Sequence, residues 1–336
     1  MTDAPRIWVS RLAPYKQAND RRAIFEIVVT IIPFILCWAA MWALLQVHVL
    51  LALLVALPAA GLMVRLFIIQ HDCGHNSMFA SRKTNDWVGR VMGIFTLTPY
   101  DYWRHSHALH HASSGNLDKR GFGDIDTMTV GEYKALDWRG RLSYRVYRHP
   151  IVMFGIGPAY LFILQHRLPL SAIGKGGASL ASVLMTNAGI AILYGILIYL
   201  VGIWAFLTIQ LSIVVIGASA GVWLFYVQHQ FDPAHWERQE NWDHSAAALH
   251  GSSFYDLPKP LMWLTGNIGI HHVHHLSSRI PFHQLPKILK DFPELKDIGR
   301  ITFWQSIKCV PLSLWDEQSK RLISFREFGR RDALAA

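Results

Sequence analysis

Charge is scarce in this chain: of 336 residues, 16% are Asp, Glu, Lys or Arg, whereas 52% are hydrophobic. Soluble domains carry about 25% charged residues, so a soluble enzyme is a poor reading of this composition. Cysteine is almost absent. Cys37, Cys73 and Cys309 lie far apart with no C-x-x-C pair, which argues against a disulfide framework or a cysteine-rich zinc site and fits reduced thiols in or facing the cytoplasm. No complete G-x-G-x-x-G occurs; Gly174-Lys-Gly-Gly177 follows no strand and reads as a loop, so no dinucleotide fingerprint is carried. Residues 1–23 are polar and basic, without the apolar core of a signal peptide. No base-rich polar domain is present to bind nucleic acid. No linker, low-complexity tract or repeat divides the chain, which reads as one domain over 1–336.

Long apolar runs are abundant. Residues 24–45, 47–69, 180–200 and 203–227 are nearly free of charge, and each approaches the roughly 20 residues needed to cross a bilayer. Only a few residues separate the first pair, and only Val201-Gly202 the second. Each pair must therefore be a hairpin that returns the chain to the side it left. The segments 1–23, 71–179 and 228–336 then share one side and hold 31 of the 32 Lys and Arg, Arg65 being the exception. The bias of basic residues makes that side cytoplasmic, and the net charge of +9 has the same origin. The shorter apolar stretches 88–97 and 151–164 read as interfacial or re-entrant helices. The expected fold is an all-α integral membrane protein, four transmembrane helices in two hairpins under a cytoplasmic helical cap (71–179 and 228–336).

Histidine is the other excess, and the 18 residues are not scattered. They include His71-Asp-Cys-Gly-His75, His107-Ala-Leu-His110-His111 and His271-His-Val-His274-His275. On a helix, positions i, i+3 and i+4 form one stripe about 100° wide, so each cluster offers two or three imidazoles from one face. His105 and His272 point off those stripes and are left out. All three clusters fall on the side assigned to the cap, and His229 begins where the last span ends. Eight or nine neutral nitrogens exceed what one ion takes, so the pattern implies two metals. Imidazole suits Zn, Cu, Fe and Ni, and iron fits oxygen activation beside a lipid substrate.

The order of these boxes resembles that of the membrane-bound fatty-acid desaturase family. Their surroundings, including Trp103-Arg-His-Ser-His-Ala-Leu-His-His111, Ser114-Gly-Asn-Leu-Asp118, Phe225-Tyr-Val-Gln-His-Gln-Phe231, Gly251-Ser-Ser253 and Gly266-Asn-Ile-Gly-Ile-His-His-Val-His-His-Leu276, look like those of bacterial Δ12 (ω-6) acyl-lipid desaturases. The likeness runs from about residue 20 to 310.

The resemblance implies two non-haem irons held by His71, His75, His107, His110, His111, His271, His274 and His275, joined by His229. It implies O₂ as co-substrate, a membrane-lipid acyl chain as substrate and a cis double bond as product. Asp72, Asp118 and Asp124 are either acceptors for ligand N–H groups or helix caps and solvated loop carboxylates. His244 and His250 receive no role. Electrons must come from a separate ferredoxin or cytochrome-type donor, and the basic cap favours an acidic one. The nearest alternative is a di-iron lipid or alkane hydroxylase, or a carotenoid oxygenase, of the same architecture. A bis-histidine cytochrome would need its histidines within facing spans. A transporter would need polar residues at mid-membrane, where only Arg65, Asn187 and Gln210 are candidates.

Overall fold

The computed structural model describes residues 4–121, 123–168 and 177–335; positions 174–176 of the glycine-rich stretch lie outside them. Four helices are long and apolar enough to cross a membrane: Asp20–Leu45, Val49–Gly74, Gly177–Val201 and Ile203–His229. Asn19 starts the first by accepting the Arg22 N–H at 3.0 Å. The first hairpin turn is closed by His48, whose ring accepts the Leu50 N–H at 3.2 Å, so this histidine is a helix cap. In the second turn Gly202 takes φ +82°, a backbone that a side chain would strain. Span two runs past residue 69 to Gly74, and span four past 227 to His229. Both extensions carry histidine.

Span two is the centre of the stalk. Ala52, Ala56, Ala59 and Ala60 are buried along it, and such small residues let neighbouring helices approach closely. Outward-facing Leu36, Leu54, Ile192 and Trp204 are exposed, as a hydrocarbon-facing surface requires. The polar residues Arg65, Gln210 and Asn187 of the spans are paired. Arg65 joins Glu26, donates to Thr30 Oγ1 at 3.1 Å and bonds the Trp263 carbonyl. Gln210 accepts from Trp38 at 3.2 Å and donates to Tyr194 at 2.9 Å, while Asn187 accepts from Arg167 at 2.9 Å. All three therefore act as internal ties.

The stretch expected at 88–97 belongs to a longer amphipathic helix, Arg82–Phe95, capped by Ser81. Its Trp87 and Val91 are exposed and its Gly89 lies against Tyr100, where an added Cβ would stand 2.2 Å from the ring. The stretch expected at 151–164 forms helical turns through Leu164, two of them wide π turns. They pack on span four through Phe154, 5.0 Å from Trp223 and 5.1 Å from Tyr226 between ring centroids.

The mostly helical fold also holds two small sheets. Leu312–Asp316 pairs antiparallel with Arg321–Ser324 and parallel with Met128–Thr129. Phe254–Asp256 pairs parallel with Arg300–Thr302. The second sheet matters for the site, because the chain around it ties the end of span four to the third histidine box. Ser253 N–H donates to Gln228 O at 3.0 Å, His271 N–H to Ser253 O at 3.2 Å and Tyr255 N–H to Gly269 O at 2.7 Å.

Candidate metal centre

Four structural pieces converge at the cap end of the stalk. Span two supplies His71, with His75 at its C-terminal cap; the helix Tyr100–Ser113 supplies His107, His110 and His111. Span four supplies His229 at its last residue, and the short helix His271–Leu276 supplies His271, His274 and His275. The nine rings fall into two groups. His71, His75, His107, His111 and His274 form one and His110, His229, His271 and His275 the other, with ligand atoms in each group within 4.8 Å of one another.

Within the groups the Nε2 atoms approach closely. His107 lies 3.0 Å from His75, 3.1 Å separates His111 from His107, and 3.2 Å separates His274 from His111. In the second group the His110–His229, His110–His275 and His271–His229 spacings are 3.1, 3.3 and 3.0 Å. Nitrogens about 2.1 Å from one shared ion stand roughly 3.0–3.4 Å apart, so the rings are spaced as ligands of two common centres. A protonated ring could not be tolerated there. Burial first, and neighbouring imidazoles second, hold His75, His107, His111, His271, His274 and His275 well below the usual histidine range. Neutral imidazole is the form that binds metal.

Two carboxylates fix ring orientation. Asp72 Oδ1 lies 2.9 Å from His71 Nδ1, and its Oδ2 accepts the Phe282 N–H at 2.6 Å. Asp124 bonds His110 Nδ1. An ionised carboxylate can only accept, so with both carboxylates charged each Nδ1 carries the proton and Nε2 keeps its lone pair for an ion. Asp118, grouped with these two on sequence, is elsewhere. Its carboxylate takes Arg238 at 2.7 Å and the Gln239 N–H at 2.8 Å. Of the two roles left open for it, these contacts are those of a loop carboxylate that anchors the chain at 238–239.

The excluded histidines also have their own places. His105 is exposed, and His272 turns away to bond the Leu295 carbonyl at 2.9 Å. Trp103 and Phe225, quoted only as neighbours of the boxes, line the site. Trp103 stacks on His107 with centroids 4.6 Å apart, and Phe225 lies 5.1 Å from both His110 and His229. Each precedes a box histidine by four residues, the spacing that puts two side chains on one helix face. That signal was available in the sequence.

Comparison with known proteins bears on the same segments. A family model for fatty acid desaturases matches residues 46–305. A fatty acid desaturase of Bacillus subtilis is 43% identical over 316 residues, covering 94% of this chain and 89% of that protein. An sn-1 acyl-lipid omega-3 desaturase (ferredoxin) of Synechocystis is 31% identical over 232 residues, 66% of this chain and 61% of that protein. The sn-1 oleoyl-lipid 12-desaturase of Synechocystis is 27% identical over 229 residues, 65% and 62% of the two chains. The match thus spans about three fifths of each cyanobacterial protein. With this match and four apolar helices of crossing length, the chain belongs to the fatty acid desaturase family and is an integral membrane oxidoreductase of lipid metabolism.

Proposed function

We propose that the chain is a single-domain, O₂-dependent acyl-lipid desaturase over 1–336 that introduces a cis double bond into a membrane-lipid acyl chain. The observation that carries this reading is the division of nine imidazoles into two groups with common centres. The donor set fits two non-haem irons, one held by His71, His75, His107, His111 and His274, the other by His110, His229, His271 and His275. Iron bound there would supply activation of O₂ toward an unactivated C–H bond.

The chain's own residues do the rest. Asp72 and Asp124 hold the ring tautomers. Trp103, packed on Phe67 at 5.2 Å, and Phe225 form apolar walls that keep water from the centres. Fixing one pair of methylene carbons beside them can supply several kcal/mol through proximity and orientation. Because 31 of the 32 Lys and Arg lie in the segments outside the spans, we place both tails and the histidine boxes on the cytoplasmic side of a bacterial-type inner membrane. A separate ferredoxin or cytochrome-type donor would dock on this basic cap.

The surroundings of the boxes support Δ12 (ω-6) regiochemistry. Expressing the full chain in a host with only monounsaturated lipids tests the whole reading. A new cis double bond, a loss of about 2 Da located at Δ12 by mass spectrometry, is the expected result. A gain of about 16 Da would mean a hydroxylase, and a double bond elsewhere would keep the desaturase and remove the Δ12 assignment.

A further inference from the structure

The helix that carries the second histidine box also walls a cavity. Asp101, Arg104, His105 and Ala108, spaced as one helical stripe, border a cavity of about 730 Å³. Its other walls are the amphipathic helix Arg82–Phe95, Asn76 just beyond span two, and the start of span three. The proposed reaction uses none of this.

Three features say what fits there. First, Arg82, Arg90 and Arg104 all line the cavity. Arg90 pairs with Asp101 at 2.9 Å, and Arg104 pairs with Asp86 and lies 3.6 Å from Asp101. Arg82 has no carboxylate partner among the described residues, so three guanidiniums face two carboxylates. One positive charge is left to be neutralised. Second, Asn76 also lines the cavity, and its side-chain oxygen is buried with no hydrogen-bond partner, a state that costs free energy until a donor arrives. Third, the site lies at the membrane boundary. Trp87 and Val91, on the other face of the amphipathic helix, are exposed, as are Leu184 and Met185 of span three.

We propose that this cavity binds the headgroup of an inner-leaflet glycerophospholipid, with the phosphate on the arginines and a headgroup O–H or N–H donating to Asn76. Guanidinium recognises phosphate through charge-assisted, forked hydrogen bonds, and the apolar flanks would carry the acyl chains along Leu184 and Met185. The inference rests on the acyl-lipid reading, because it names the headgroup by which that substrate is held. Measuring binding without turnover separates the two.

The test is native mass spectrometry on the full-length chain in neutral detergent. Phosphatidylglycerol, phosphatidylcholine, diacylglycerol of the same chains and inorganic phosphate are added in turn. Phosphatidylglycerol should be retained best, phosphatidylcholine (which has the phosphate but no donor) more weakly, and diacylglycerol not at all. Free phosphate should compete with the lipid. The double substitution Arg82→Gln/Arg90→Gln should weaken retention of phosphatidylglycerol by about tenfold or more with metal content unchanged. Ala181→Trp fills the cavity without touching a charge and should do the same, so it decides the matter if the arginine variant fails to fold. Equal retention of diacylglycerol and phosphatidylglycerol, or full retention by Ala181→Trp, would overturn the site. Retention confined to free phosphate would overturn its assignment to lipid. Wild-type protein that retains the lipid yet forms no double bond would uphold the site and sink the desaturase reading alone.

Discussion

The two histidine groups follow one rule and differ in what they leave open. The five-membered group contains two i,i+4 pairs, His71 with His75 and His107 with His111, and takes His274 from the third box. The four-membered group contains one such pair, His271 with His275, and takes His110 from the second box and His229 from span four. Boxes two and three each send their i,i+4 pair to one centre and their remaining histidine to the other. A shift of either helix must therefore disturb both centres. The groups also differ in exposure: His75, His107 and His111 are half-buried, whereas all four members of the other group are buried. Losing one ring leaves four ligands in the first group and three in the second, so the second should be the more fragile.

The largest effect is expected at His110. His110→Ala removes a ligand from the smaller group and leaves Asp124 without its imidazole partner. Double-bond formation should fall to background, a loss of at least about 100-fold, while the protein still inserts in the membrane and bound iron drops below two per chain. Product analysis beside metal quantification reads both. His75→Ala sharpens the contrast, because the larger group keeps four imidazoles. It should lower activity yet retain more iron than His110→Ala. Equal iron loss in the two variants would show that ligand number does not set the difference.

The carboxylates come next. Asp72→Asn and Asp124→Asn should each weaken metal binding by about 10- to 100-fold, read by competition with a chelator. Asp72 is fully buried and also receives the Phe282 N–H, so it holds a backbone segment as well as a ring. Its substitution should additionally lower thermal stability, whereas that of Asp124 should act on the metal alone. Matched losses of stability would remove this distinction.

The four spans and the nine imidazoles could be read in the sequence because both are local patterns. A run of about 20 apolar residues can satisfy its backbone in lipid only as a helix, and i,i+4 spacing fixes a shared face whatever the rest of the fold does. The division of the histidines between two centres could not be read this way. His110 and His111 are neighbours in sequence and part company because successive helical residues point about 100° apart, and which direction meets His229 is set by how four distant segments pack. The small sheets were missed for a related reason: Phe254–Asp256 and Arg300–Thr302 are three-residue strands whose partner lies more than 40 positions away. The aromatic walls were missed although their signal was local, since the i−4 spacing of Trp103 from His107 and of Phe225 from His229 was there to be used.

The smallest expected effect tests where the loop after box two divides. Asp118 and Asp124 lie on the same stretch following His111, and composition gives no reason to separate them. Geometry does. Asp124 touches a ring, whereas Asp118 spans Arg238 and the Gln239 N–H on the surface. Asn at position 118 still offers an oxygen to that N–H, and Arg238 keeps Glu317 at 2.8 Å, so the loop retains its anchor while losing one exposed charge pair. Such pairs contribute little in water. Metal content and product yield of Asp118→Asn should therefore stay within about twofold of the wild-type values, measured in the preparation that shows the loss for Asp124→Asn. Equal losses at the two positions would mean that the loop moves as one body and that contact with the ring is not what makes Asp124 matter.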